Sequence, residues 1–308
     1  MTQAPEAYAA FAALAPRRIR RDVPLAPLSA YKVGGSADLF AEPETGEELA
    51  AMLRSAHELE LPLYVLGAGT NLLIRDGGVR GVVLRLGKAF KSAVAEGDRV
   101  RAGAMSPMGK AALAAERAGL AGLEFGFDIP GTVGGALRMN AGAHGSEVSR
   151  VLHAATGFTL AGEQKTILAT EVTWSYRTAI YPEPLVFVEG VFQLAPGDSA
   201  ALAAIRRENH AYRKATQPKG NSVGSVFINP EGDFAGRLIE AVGMKGYRLG
   251  GAAVSDKHAN WILNEGGASA AEIEAIIREA QSRVKDKFGV SLHPEVHMIG
   301  DPKPGTER

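Results

Sequence analysis

Residues able to do chemistry fall in a few short stretches of the chain. Two are rich in glycine: "LYVLGAGTNLLIRDGGVRGVVLRL", residues 63–86, and "DIPGTVGGALRMNAGAHG", residues 128–145. A flexible linker would mix glycine with serine and other polar residues. The second stretch instead carries Ile129, Val133, Leu137 and Met139, apolar side chains that favour burial. Ordered glycine marks a sharp turn or a backbone lying close to something bound. A tight strand–loop–strand hairpin at 63–86 would present the amides of Ala68 to Leu72 as a concave nest. Such a nest holds an anion without any charged side chain. The 128–145 segment can do the same from the opposite side, so the two loops would close on one diphosphate. The competing reading makes both loops structural turns. Asn71 and Asn140 add polar groups that favour a ligand.

Three further stretches carry single groups of interest. In "LHPEVHMIG" the alternation of a strand puts His293, Glu295 and His297 on one face. Imidazole and carboxylate together suit zinc or iron, and a plain surface strand is the competing reading. Pro294 rules out the helical spacing of two histidines. Arg177 in "WSYR" offers a planar fork of donors for a carboxylate, or is a surface arginine after two aromatics. Ser225 in "GSVFINP" follows Gly224, where a serine commonly bonds the backbone of its own turn.

The elements that must position these groups are legible in outline. "TGEELAAMLRSAHELEL" opens with Thr45 and Glu48 in capping-box spacing and places Leu49, Met52, Leu53, Ala56 and Leu59 on one face. "SPMGKAALAAERAG" offers Ser106 as cap, Pro107 at the first helical position and Gly119 as stop. Further helices are expected from Asp198, and from the Ser269/Glu272 box to Gly289. Strand-like runs lie at Leu63–Leu66, Val82–Leu86, Leu185–Gln193 and Val290–Ile299. The mixture is α+β or α/β. Gly67-Ala68-Gly69 does not open a dinucleotide fingerprint: Leu72 replaces the third glycine, and no acidic residue closes the second strand. Leu66 and Val82 are also too close for the roughly thirty residues of a helical crossover unit. A shift toward longer, more polar helices near Ala195–Asp198 marks a domain boundary.

Composition narrows the function classes. At 308 residues the chain is long enough for two domains or slightly more. Lys+Arg and Asp+Glu both number 34, so no global basic field gathers nucleic acid or an anionic membrane. The chain has 0 cysteines, which excludes disulfides, thiolate metal sites and cysteine nucleophiles. At the N-terminus the arginines follow the apolar stretch, the reverse of a secretory signal. That segment reads as a short amphipathic helix and a basic turn. Arg17, Arg18, Arg20 and Arg21 there form a solvated cluster or, less simply, a phosphate contact. A cytoplasmic protein is expected, a monomer or weak oligomer.

The motif "YKVGGSADLF", which includes Tyr31, resembles a flavin-binding loop of the UDP-N-acetylenolpyruvoylglucosamine reductase (UDP-N-acetylmuramate dehydrogenase) family. So do "VLGAGTNLLIRDGGVRGVVL" and "GFDIPGTVGGALRMNAGAHG". The family sits in the vanillyl-alcohol-oxidase-like, PCMH-type FAD-binding superfamily. The similarity continues in order through "WSYR", "GSVFINP", "GRLIEAVGMKGYRLGGAAVSDKHANWILN" and "LHPEVHMIG". It implies an α+β fold: a PCMH-type FAD-binding region of two α+β subdomains and a C-terminal α+β substrate domain. The expected limits are a lead-in at 1–30, flavin subdomains at 31–87 and 88–195, a substrate domain at 196–290, and a C-terminal strand and tail at 291–308. That last strand would return Glu295 to the flavin.

The resemblance also implies roles. Gly67, Ala68, Gly69, Thr70, Asn71 and Leu72 would grip the FAD pyrophosphate. Pro130, Gly131, Thr132, Gly134 and Gly135, then Asn140 and Gly142, would wrap the cofactor, where side chains would collide with it. No histidine lies in 67–72, so the FAD is expected to be non-covalent. His144 stands where relatives usually carry tyrosine, and is read as packing. NADPH would be the hydride donor and a UDP-sugar enolpyruvyl ether the substrate, with no nucleic acid, membrane or metal partner. Ser225 matches the proton donor, Arg177 the arginine that stabilises the enolate, and Glu295 the acidic member of the set. Asn229, Lys245, His258 and Asn260 would contact substrate, with Lys257 beside them. Ile228 replaces the lysine of Phe-Lys-Asn-Pro, leaving Lys219 as a substitute cation. Thr178 stands where serine is common. The rival readings are an alcohol or sugar oxidase of the same superfamily, and a metal- or nucleotide-binding module on the histidine face.

Overall fold

The computed structural model describes residues 5–303 and Gly305. The chain divides into two compact units interleaved in sequence. The first comprises Met1–Arg21, Leu39–Ala68 and Gly81–Arg213, the second Asp22–Asp38, Gly69–Arg80 and Lys214–Arg308. The stretch expected as one flavin-binding run, 31–195, therefore contributes to both.

In the first unit, α1 (Pro5–Leu14) buries Phe11 in a core with Leu39, Met52 and Val82. The basic segment after it forms a strand, Ile19–Pro24. Arg18 pairs there with Glu44 and Glu48, and Arg20 with Glu42, so the arginine cluster is a solvated, ion-paired surface. Helix α2 (Gly46–Glu58) starts where its sequence predicts, with the Thr45 side chain accepting from the Glu48 N–H. The box is not reciprocal, because the Glu48 carboxylate takes the Glu44 N–H instead. Helix α3 (Met108–Arg117) departs by one position: Pro107, not Ser106, is the cap residue, and the buried Ser106 hydroxyl has no partner among the described residues. Helices α4 (Val133–Met139) and α5 (Ser199–Thr216) complete the unit's helices. The Asp198 carboxylate caps α5 through the N–H groups of Ala200 and Ala201.

A sheet ordered Ile19–Pro24, Ser36–Ala41, Val79–Leu84, Leu63–Val65 packs with α1 and α2. A five-stranded antiparallel sheet follows, ordered Gln164–Leu168, Leu152–Phe158, Val186–Gln193, Arg99–Gly103, Ala93–Glu96. It shares a core of Val100, Met108, Phe125, Leu137 and Phe192 with α3 and α4.

In the second unit, α6 (Ala235–Ala241) and α7 (Ala270–Phe288) share one core with a three-stranded sheet of Arg248–Leu249, Ala252–Val254 and Ile262–Asn264. Helix α7 realises its sequence fully. Ser269 and Glu272 form the reciprocal box, Ile273, Ile276, Ile277, Ala280 and Val284 make the buried stripe, and Gly289 ends it at φ 70°. Each fully buried isoleucine or valine of that stripe is worth about 1.5–3 kcal/mol. Short strands Leu72–Ile74 and His297–Ile299 pair in parallel. Most of the strand expected over 290–299 is thus not a ladder strand. Pro294 has no N–H to donate, and the residues before His297 are held by one bridge, Phe227 to Pro294.

Candidate active site

The first glycine segment is not a hairpin. Leu63–Val65 and Val79–Leu84 pair in parallel, and the chain between them runs out through Leu72–Ile74, which pairs with His297–Ile299. The Leu66 N–H bonds Leu84 O, and beyond it the amides of Gly67, Ala68, Gly69, Thr70 and Asn71 donate to no group among the described residues. Five successive unengaged N–H groups in a glycine-containing loop suit an anion. The glycines are required by packing within the protein. A Cβ on Gly67 would stand 2.8 Å from Thr132 Oγ1. Gly69 has φ 66° and its Cβ would run into the Leu28 carbonyl.

The 128–145 segment behaves differently. Its amides are already engaged: Val133 donates to Ser106 O, Gly134 to Ala104 O, and Gly135 to Thr132 Oγ1. The expected second nest is therefore absent at α4, where those donors cap the helix and fasten it to the 103–108 turn. Gly134 lets α4 approach Ala104, whose Cβ would be 3.1 Å from an added methyl. At Gly142 a Cβ would meet Glu147 Cβ at 2.7 Å, across a short hairpin.

Asn140 is fully buried and left-handed at φ 43°. Its Oδ1 accepts from the Ser149 N–H and its Nδ2 donates to Ser175 O, both at 3.0 Å. A side chain enclosed in this way completes the protein's own backbone. It secures the hairpin Thr173–Ser175/Thr178–Ile180, whose two-residue tip is Tyr176–Arg177. Arg177 sits there at φ 57°, with its guanidinium 4.9 Å from the Tyr176 ring centre. An arginine held in the left-handed region is strained backbone of the kind that gathers at functional sites.

His144 faces the buried Asp128 carboxylate, Nε2 to Oδ2 at 3.4 Å, and packs edge-on against Tyr212. His210 approaches the other Asp128 oxygen at 3.7 Å. Burial pulls the Arg213 guanidinium below its ordinary pKa, with Asp128 opposing the shift. No sequence signal marks this cluster, because Asp128 and α5 are far apart in the chain.

In the second unit Ser225 and Glu295 come together. Gly224 turns the chain at φ 86°, and Ser225 follows half-buried. Its hydroxyl bonds nothing among the described residues, so it is not the self-bonded turn serine that position alone suggests. The next residues are gripped from two sides. The N–H of Val226 bonds Asn260 O, and the N–H of Glu295 bonds Val226 O, both at 2.8 Å. The Asn71 side chain donates to Glu295 O at 3.0 Å, joining the end of the first glycine loop to the same place. His297 alone of the three alternating residues lies in a strand, so the shared face expected for His293, Glu295 and His297 does not form. Among the described residues no group of three such side chains is placed to hold a metal.

Several residues expected at ligands also bond or pack within the protein itself. Tyr31 is 0% exposed inside the second core, its hydroxyl without a partner among the described residues and its pKa pushed up by burial. Its side chain supports the site from within. Asn260, 3% exposed, clamps Phe227 through both ends of its amide. Asn229 accepts the first N–H of α6, from Ala235. Lys257 donates to the carbonyls of Lys214 and Gln217, and Lys245 pairs with Glu240 at 2.9 Å. His258 accepts the Asn260 N–H at Nδ1, which leaves the proton of its neutral form on Nε2, and burial lowers its pKa. The Ile228 N–H bonds His293 O, so that position serves the backbone rather than supplying a cation.

Residues 37–167 match the family described as an FAD binding domain. The unengaged amides at 67–71 are donors of the kind a pyrophosphate requires, so the residues present fit that group. The chain is a flavoprotein oxidoreductase with FAD as its cofactor. Residues 216–299 match the C-terminal domain of UDP-N-acetylenolpyruvoylglucosamine reductase. An enzyme of that name from Anaeromyxobacter sp. (strain Fw109-5) is 45% identical over 290 residues, 92% of this chain and 91% of that one. Another from Parvibaculum lavamentivorans is 42% identical over 91% of this chain and 90% of its own. The crystal structure of the Thermus caldophilus reductase superimposes with a TM-score of 0.80 at 34% identity, covering 92% of this chain and 99% of that one. The chain belongs to the UDP-N-acetylenolpyruvoylglucosamine reductase family.

Proposed function

We propose that the protein uses NADPH to reduce the enolpyruvyl ether of UDP-N-acetylglucosamine to the lactyl ether, giving UDP-N-acetylmuramate for peptidoglycan precursors. FAD, bound without a covalent link, would supply the hydride chemistry between NADPH and the β carbon of the enolpyruvyl group. Gly67 to Asn71 hold its pyrophosphate through their amides. His144, the nearest histidine to the flavin segments in sequence, is engaged with Asp128 and Tyr212, which supports a cofactor that is not attached through it.

Hydride addition leaves an electron pair on the α carbon, delocalised into the carboxylate. Arg177 holds that growing negative charge through its permanently charged fork. Ser225 gives its hydroxyl proton to the α carbon and regains one from water. The basicity of the carbanion makes a serine acidic enough, so position matters more than a tuned pKa. Glu295 is the acidic member of the set that faces the substrate. The double bond thus gains one hydride and one proton, which balances the reduction.

One observation carries this reading: among the described residues the Ser225 hydroxyl is unengaged, and it sits one residue from the backbone that binds Glu295. Its test is a pair of anaerobic half-reactions. Ser225→Ala should still be reduced by NADPH, while reoxidation by the enolpyruvyl substrate collapses. Reoxidation of the native protein faster by oxygen than by substrate would favour the oxidase reading instead. Both the substrate and NADPH are aqueous metabolites, and no described helix is long and apolar enough to cross a membrane. That supports a cytoplasmic enzyme, which we take to act as a monomer or weak oligomer.

A further inference from the structure

The proton donor of this reading lies beside a firmly clamped pair, Val226 and Phe227. Among the described residues no hydrogen bond engages the main chain of Ser225 or its hydroxyl. Its location is inherited from the two residues that follow. Val226 and Phe227 are 0% and 2% exposed, and one residue holds both of them. Asn260 accepts the Val226 N–H at its own carbonyl, 2.8 Å away. Its side chain accepts the Phe227 N–H at 2.9 Å and donates to Phe227 O at 2.8 Å. A carboxamide presents a donor and an acceptor side by side, so it pairs with a peptide group as a neighbouring strand would. On the other side the clamp is completed by the Glu295 N–H to Val226 O and the Ile228 N–H to His293 O. Asn260 itself is fixed, because its N–H bonds His258 Nδ1 at 3.2 Å.

We infer that Asn260 is a positioning residue for proton transfer, setting where the Ser225 hydroxyl lies through its clamp on Val226 and Phe227. The inference rests on the proton-donor reading of Ser225. At 3% exposure Asn260 has no surface with which to touch substrate, and both ends of its side chain are engaged. Truncation would leave a buried N–H and a buried C=O of Phe227 unpaired, and the segment would shift to find partners. A displacement near 1 Å at a reacting group costs on the order of 100-fold in rate.

The test combines half-reactions with amide exchange on the FAD-loaded full chain. Asn260→Ala should be reduced by NADPH within about two-fold of the native rate, while its reoxidation by substrate falls about 30- to 100-fold. Amide hydrogen exchange at Val226 and Phe227 should accelerate. Asn260→Asp should do the same, since it keeps the acceptor for Phe227 N–H but sets an oxygen against Phe227 O. It carries the test if the alanine variant does not fold. In a Ser225→Ala background Asn260→Ala should add no further loss to the substrate half-reaction, because it acts through the missing hydroxyl. Losses that multiply in the double variant, or equal slowing of both half-reactions, would overturn the inference. If Ser225→Ala alone leaves the substrate half-reaction intact, it is the proton-donor reading that fails, and the inference with it.

Discussion

Arg177 offers a case in which stability and activity should part company. Its φ of 57° lies in the left-handed region, where an L side chain costs about 1–2 kcal/mol per residue. Glycine removes that cost but adds about 0.5–1 kcal/mol of backbone entropy to be lost on folding. Alanine keeps the strain. Both substitutions delete the guanidinium and its contact over Tyr176, worth about 0.5–1 kcal/mol at an exposed site. Every other contact of the side chain is lost equally in the two, so their difference isolates the backbone. Arg177→Gly should therefore be more stable than Arg177→Ala by about 0.5–1 kcal/mol, and within about 1 kcal/mol of the native protein. Both should lose the substrate half-reaction by about 100- to 1000-fold, as when one charge-stabilising donor is removed. Urea unfolding followed by circular dichroism measures the first quantity, and stopped-flow flavin absorbance the second. An alanine variant as stable as the glycine variant would show that the hairpin tip carries no strain. Full reoxidation by substrate in either would remove Arg177 from the chemistry.

Three other outcomes follow from the geometry. Gly67→Ala should destabilise the protein by about 1–3 kcal/mol by overpacking and lower its FAD content. Pairing it with Thr132→Ala should cost less than the two separate losses, because the clash is with Thr132 Oγ1. Asn140→Ala should cost about 2–4 kcal/mol, leaving Ser149 N–H and Ser175 O unpaired, and should slow the substrate half-reaction while FAD remains bound. Asn140→Gly, which accepts the left-handed backbone, should regain about 1 kcal/mol of that in thermal unfolding. Glu274 is held below its ordinary value of 4.5 chiefly by Arg75, with Arg278 adding to the shift. The unfolded chain then binds the extra proton, so this stabilisation is complete above about pH 4.5 and is lost as pH falls through the depressed value. Glu274→Gln should flatten that acid limb in denaturant midpoints measured from pH 6 to 3. An unchanged slope would count against the pairing.

The helices were legible in the sequence wherever their ends carry their own chemistry. Thr45, Asp198, Ser269 and Gly289 all act within a few residues of where they stand, so their effect requires no knowledge of the fold. Ser106 misled because Pro107 at φ −56° already supplies the turn into α3. The strand expected through Glu295 failed for a longer-range reason. Its partners are single residues of the 226–228 segment and the Leu72–Ile74 strand, and period-two alternation says nothing about either. The parallel pairing of Leu63–Val65 with Val79–Leu84 was likewise hidden, since a short connection ordinarily signals a hairpin. The Asp128, His144 and His210 contact was invisible in the same way.

By itself the sequence determined which residues could turn sharply, where most helices begin and end, and an ordered set of motifs that marks a flavin reductase family. Those properties are local, or belong to the order of residues along the chain. Only the tertiary structure decided which polar side chains face a ligand and which complete the protein's own backbone. An asparagine amide serves either purpose equally well. Asn260 holds a peptide 33 residues away, and Asn71 one 224 residues away. Whether a carboxamide meets a peptide group or open solvent is settled by packing between distant segments, and at Asn71, Asn140 and Asn260 packing chose the peptide.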